Sequence, residues 1–216
     1  MLRSLALIIA VSLIPVAALA APDDAPLPIK PAPAPKAAIG KPAPGFSGMD
    51  YMGKAIKLSD YKGQIVVLEW TNPNCPFVRK HYGSGNMQKL QTYAHEKKVV
   101  WLSINSSAPD HEGHLTLDQA RALFENTPPL ADHYILDSSG KIGTLYGAKT
   151  TPHMFVIDKA GNLAYMGAID DKPTVDKDDI ETAHNYVRAA IDSLIAGTPV
   201  EVFSTQSYGC SVKYAD

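Results

Sequence analysis

The stretch Thr71-Asn72-Pro73-Asn74-Cys75-Pro76-Phe77-Val78-Arg79-Lys80-His81-Tyr82 places a cysteine between prolines, directly after the apolar run Ile65–Trp70. Proline is favoured in the first turn of a helix, where its missing N–H costs nothing, so a helix is expected to start at Cys75-Pro76. A thiol there meets unpaired backbone N–H groups and the positive end of the helix dipole, which favour the nucleophilic thiolate. Cys75 is therefore read as a reactive thiol on an exposed strand-to-helix junction, with a pKa below that of a free cysteine. A structural cysteine is the plainer alternative. Val78 stands three residues on, so the site is not a CxxC dithiol. Cys210 is the chain's one other cysteine. It is either a resolving thiol, able to condense with an oxidised Cys75, or half of a permanent tether for the tail. It should react as an ordinary thiol.

Two further groups bear on the chemistry. Glu69 lies inside the apolar run, where an unpaired charge is costly, so it needs a partner or a task. Desolvation would raise its pKa and suit it to proton transfer, whereas an ion pair at a wet edge would contribute little. Asp110-His111-Glu112-Gly113-His114 carries two histidines but lacks the helical spacing of a zinc HExxH site. It reads as a polar loop, and neither metal nor other cofactor is expected.

These residues need elements to hold them. Ile65–Trp70 and Val99–Asn105 have the continuous apolar character of buried strands. The helix from Cys75 is interrupted at Gly83-Ser84-Gly85 and resumes over residues 86–98. Thr116 is placed to cap a helix over TLDQARALFEN. His133–Asp137 reads as a short extended segment and Gly140–Tyr146 as a short helix. His153–Asp158 and Leu163–Ile169 read as strands joined by the turn Lys159-Ala160-Gly161-Asn162. A last helix over Asp178–Ala196 lines up Ile180, Ala183, Val187, Ile191 and Leu194, and Gly197 and Pro199 end it.

The chain's first twenty residues, MLRSLALIIAVSLIPVAALA, have the layout of a cleavable secretory signal, with cleavage expected before Ala21. Residues 21–38 are rich in Pro and Ala and form an extended spacer. Residues 39–216 suffice for one domain. A net charge of −2 without a basic cluster argues against nucleic acid or anionic membrane as partner. The expected place is periplasmic or secreted, where disulfides persist.

The order of elements and three motifs carry a resemblance. Ile39–Trp70 (IGKPAPGFSGMDYMGKAIKLSDYKGQIVVLEW), Thr150–Asp158 (TTPHMFVID) and Thr205–Tyr214 (TQSYGCSVKY) are similar to the redoxin, or AhpC/TSA, branch of the thioredoxin-like proteins, in an uncharacterised exported subgroup. The resemblance implies an α/β fold with a central mixed β-sheet flanked by helices. It implies a cis Thr151-Pro152 bond facing Cys75, with the Thr151 backbone free to pair with an extended substrate segment. It gives Glu69, six residues before Cys75, the place of the thioredoxins' buried proton-transferring acid. It also shows departures. Asn72 stands where peroxiredoxins carry Thr, and Pro152 where they usually carry Arg, which weakens a peroxidase reading; Arg79, one turn along the helix, either partly replaces the missing charge or, as the plainer reading, is a solvated surface residue. Copper-carrying relatives use CxxxC plus a distant His, and Arg79 occupies the second cysteine's place, so Cys75 with His81 and His153 is a weaker copper site. The leading expectation is an exported thiol oxidoreductase, a peroxiredoxin-like antioxidant or disulfide-exchange enzyme, acting on a thiol, disulfide or peroxide substrate with an unidentified reductant. The alternatives are a binding module with a static Cys75–Cys210 disulfide, and a copper chaperone.

Overall fold

The computed structural model describes residues 36–215, so the leader and most of the Pro/Ala spacer lie outside the described residues. In chain order the elements are β1 (Ser47–Asp50), β2 (Ala55–Lys57), β3 (Val66–Trp70), α1 (Pro76–Gly83), α2 (Asn86–Glu96), β4 (Val100–Asn105), α3 (Leu117–Phe124), β5 (His133–Leu136), α4 (Lys141–Tyr146), β6 (Thr150–Thr151), β7 (His153–Ile157), β8 (Leu163–Gly167), α5 (Tyr186–Ala196) and β9 (Cys210–Ser211). Seven strands form one mixed sheet in the order β2-β1-β5-β4-β3-β7-β8. β3 runs parallel to β4 and antiparallel to β7, which pairs antiparallel with β8. The remaining two strands, β6 and β9, pair only with each other.

Alternation along the central strand explains the layering. Ile65 and Val67 join Met87, Leu90, Trp101, Met154, Val187 and Ile191 in the core that packs under α2 and α5. Val66, Leu68 and Trp70 face the opposite way, onto Leu102, Ile135, Phe155 and the α4 residue Ile142. With both faces covered, every residue of β3 is buried, as a continuous apolar run requires. The period of two puts Glu69 on the α2 side, in line with Val67.

Local signals set most boundaries. Gly85, at φ +77°, takes the left-handed turn that separates α1 from α2. Thr116 caps α3: its hydroxyl accepts from Gln119 N–H at 3.2 Å, and Gln119 Oε1 accepts from Thr116 N–H at 2.8 Å.

Two differences from the sequence reading have physical reasons. The last helix starts at Tyr186 rather than Asp178, because Asn185 Oδ1 accepts from Arg188 N–H at 2.9 Å and caps it there. Residues 178–182 form a separate short 3₁₀ turn, so Ile180 and Ala183 leave the helical stripe. Packing also begins slightly before Ile39, since Ala37 N–H donates to Leu145 O at 3.2 Å.

Candidate active site

Cys75 occupies the N-cap of α1, with Pro76 as the first helical residue. The approach to it is shaped by Asn72, whose Oδ1 accepts from Asn74 N–H at 2.8 Å while its Nδ2 donates to Glu112 O at 3.1 Å. This is an Asx turn, a side chain standing in for backbone to tighten the loop. Opposite lies the Thr151-Pro152 peptide bond, which is cis. Cys75 Sγ donates to Thr151 O at 3.0 Å.

The sequence left open whether the two sulfurs meet. They do: Cys75 Sγ and Cys210 Sγ are 2.7 Å apart, both as free thiols. A short further approach would reach the covalent S–S length of about 2.05 Å. Cys210 is brought there by β9, whose register pairs Thr151 with Cys210 and Thr150 with Ser211.

That pairing overturns one expectation. Cys75 is not exposed; only 1% of its surface is accessible, because the tail lies over the strand-to-helix junction. The expected ordinary behaviour of Cys210 is overturned as well. Burial, then its hydrogen bond to Cys75 and the charge there, push the Cys210 thiol up to about 12. For Cys75, burial pulls upward, but hydrogen bonding from Cys210 and Thr151 and from backbone at the helix start outweighs it, and its pKa falls below the ordinary value. Of the two sulfurs, Cys75 is therefore the more readily ionised.

Arg79 does not supply the charge suggested for it. Its Nε donates to Pro73 O at 3.1 Å and its Nη2 to Asn74 Oδ1 at 3.3 Å, away from the sulfurs. Among the described residues, the groups that hydrogen-bond Cys75 Sγ belong to Thr151, Cys210 and the Val78 backbone, and none is a cation.

Glu69 is fully buried. Trp101 Nε1–H and Ser103 O–H each donate to its Oε2 at 2.8 Å, and Tyr82 O–H donates to Oε1 at 3.0 Å. Gln91 Nε2 adds a longer contact of 3.4 Å. Burial raises the Glu69 pKa, and the hydrogen bonds from Trp101, Ser103 and Tyr82 recover only part of that. No direct hydrogen bond joins Glu69 to Cys75 among the described residues. Tyr82 and Gln91 also line a cleft of about 460 Å³ with Val78, Phe124 and Leu130, and Cys75 does not border it.

The sequence reading missed the polar cluster that holds the tail. His81 is buried; its Nδ1 lies 2.8 Å from Asn86 Nδ2 and its Nε2 3.1 Å from the Tyr208 hydroxyl. Tyr208 O–H donates to Asp170 Oδ1, so the hydroxyl accepts from His81 Nε2–H, leaving Nδ1 to accept from Asn86. Burial, with Lys80 nearby, lowers the His81 pKa to about 3, so the imidazole is neutral and its 4.0 Å approach to Asp170 is not an ion pair. Tyr208 beside Gly209-Cys210 was the one local signal. His153, the other candidate imidazole, accepts from Lys149 N–H through Nδ1 at 3.2 Å. In the 110–114 loop, His111 and His114 each set Nδ1 3.0 Å from a backbone carbonyl, that of Pro109 and Ser107. Among the described residues, no three His, Cys, Asp or Glu side chains cluster so as to hold a metal ion.

Known proteins share this framework. The AhpC/TSA family matches residues 39–166. Thiol-disulfide oxidoreductase ResA of Bacillus thuringiensis subsp. konkukian is 31% identical over 128 residues, covering 59% of this chain and 68% of the relative. Among solved structures, an uncharacterized conserved protein from Geobacillus kaustophilus superposes with a TM-score of 0.70 at 25% identity, over 82% of this chain and 93% of that one. A Chlorobium tepidum protein provisionally named thiol:disulfide interchange protein DsbE superposes with a TM-score of 0.53 at 25% identity, over 72% of this chain and 99% of the other. The fold is thioredoxin-like, α/β with a mixed central sheet, and the chain belongs to the AhpC/TSA family.

Proposed function

We propose that the protein is an exported thiol-disulfide oxidoreductase in which Cys75 attacks and Cys210 resolves. The observation that carries this is the 2.7 Å approach of the two sulfurs at the start of α1, beside the Thr151-Pro152 loop. The reduced Cys75 thiolate attacks a substrate disulfide, forming a mixed disulfide and expelling one substrate thiolate, which takes up a proton. Cys210 then attacks Cys75 Sγ, forming the Cys75–Cys210 disulfide and releasing the second substrate thiolate. Two electrons pass to the substrate, and an external dithiol restores the enzyme. Once Cys75 is in the mixed disulfide it no longer holds Cys210's proton in place by charge, so the resolving thiol ionises more readily. Glu69 is proposed as the buried proton reservoir on the α1 side, acting through water.

Disulfide exchange is favoured over peroxide reduction because, among the described residues, the Cys75 sulfur has no cationic partner to polarise a peroxide. Export is proposed from the apolar leader at residues 1–20. Among the described residues, no helix is long and apolar enough to cross a membrane.

Stopped-flow oxidation of the reduced protein tests the choice of reaction. A model disulfide should consume the Cys75 thiolate faster than equimolar hydrogen peroxide, by about tenfold or more. A faster reaction with peroxide would move the assignment to peroxidase chemistry.

A further inference from the structure

If Cys75 is the exchange thiol, as proposed above, a substrate must reach a sulfur that the tail already covers. The way the tail covers it is specific. Residues 210–211 add a strand to Thr150–Thr151, antiparallel, with Cys210 opposite Thr151. Val212 N–H extends the pairing to Lys149 O at 3.0 Å. Without β9, Thr150–Thr151 would be an unpaired strand edge beside the Cys75 sulfur, a ready template for another extended chain.

Gly209 makes this approach possible. Its φ is +127°, a conformation that side chains disfavour, and a Cβ built there would lie 2.1 Å from Thr151 O. Any residue but glycine before the cysteine therefore collides with backbone, and β-strand backbone does not yield as a flexible side chain does. Outside the crossing point, the segment is held by groups that do not touch the sulfurs. Thr205 N–H donates to Met166 O at 3.2 Å, Tyr208 bonds Asp170, and Tyr214 O–H donates to Ala148 O at 2.8 Å.

We propose that the tail is a resident copy of the substrate: an extended polypeptide whose disulfide-bonded cysteine follows a glycine takes the place of residues 209–211, and Thr151 O selects for that glycine. The chemistry then runs as above. Cys75 attacks the sulfur of the incoming Gly-Cys, its former disulfide partner leaves as a thiolate, and Cys210 re-enters to release the segment and close its own bond with Cys75.

The experiment uses the reduced full-length mature chain. Gly209→Ala should undock the tail and speed alkylation of Cys75 by iodoacetamide by about tenfold. Val212→Pro, which deletes the N–H given to Lys149 O, should do the same by an independent route and guards against misfolding of one variant. Cys210→Ser, which keeps Gly209, should leave Cys75 covered. The undocked variants are then offered the hexapeptides Ser-Tyr-Gly-Cys-Ser-Val and Ser-Tyr-Ala-Cys-Ser-Val, each as its mixed disulfide with thionitrobenzoate. Release of the yellow thiolate should be about tenfold faster from the glycine peptide. Equal rates would overturn the selection by Thr151 O, and unchanged alkylation in both undocked variants would overturn the covering role of the tail. Failure to react with either peptide or with free dithiobis(nitrobenzoate) would instead strike the exchange reading on which the proposal rests.

Discussion

Cys210→Ser is expected to stop the reaction halfway. Cys75 still attacks, but nothing resolves the product, so a covalent adduct between protein and substrate accumulates and steady-state turnover falls by on the order of a thousandfold. The adduct should appear by mass spectrometry under non-reducing conditions and vanish with dithiothreitol. Cys75→Ser should lose turnover to the same extent and form no adduct at all. This asymmetry follows from position: Cys75 caps α1 and its pKa is lowered, whereas Cys210 sits on β9 with its thiol pKa raised. A static staple behaves differently. Either serine would then cost stability alone, about 2–4 kcal/mol, with no adduct from either variant.

Glu69→Gln is expected to change how stability responds to pH. Burial raises the folded-state pKa of Glu69 above its unfolded value, so the native state binds the proton more tightly than the unfolded chain does. Between the unfolded pKa and the raised folded one, stability therefore falls as pH rises, by at most about 1.4 kcal/mol per pH unit for a single group. Below the unfolded pKa both states are protonated and the effect is flat. The glutamine keeps an oxygen for Trp101 N–H and Ser103 O–H, and the Tyr82 hydroxyl can turn to accept from its amide. Urea denaturation at several pH values should show the wild-type slope and its loss in Glu69→Gln. If the variant also keeps the wild-type rate and pH profile of exchange, the proposed proton role of Glu69 is wrong.

The parts of the molecule that sequence made legible are those where the cause is local. The apolar run before Cys75 had to be a strand covered on both faces, Cys75-Pro76 had to open a helix, and Thr116 was placed to cap the helix that follows it. Glu69 stood out for the same reason, because one carboxylate among apolar neighbours is anomalous at short range. The lost information was long-range. Cys75 and Cys210 are 135 residues apart, and no spacing rule says that the tail crosses the Thr150–Thr151 edge. The burial of Cys75 follows from that crossing, so it was misread too. The cluster of His81, Tyr208 and Asp170 joins three distant segments and leaves no pattern in any one of them. The late start of α5 is a competition in which the Asn185 cap won over a longer apolar stripe.

The most direct measurement is the redox equilibrium of the Cys75–Cys210 pair in glutathione and dithiothreitol buffers, read from the mass of the alkylated protein. A cycling pair should change as one two-electron couple at a potential between about −120 and −270 mV, the range of exchange catalysts. A pair that stays oxidised below about −300 mV, or cysteines that take up alkylating agent independently at every potential, would contradict the exchange function.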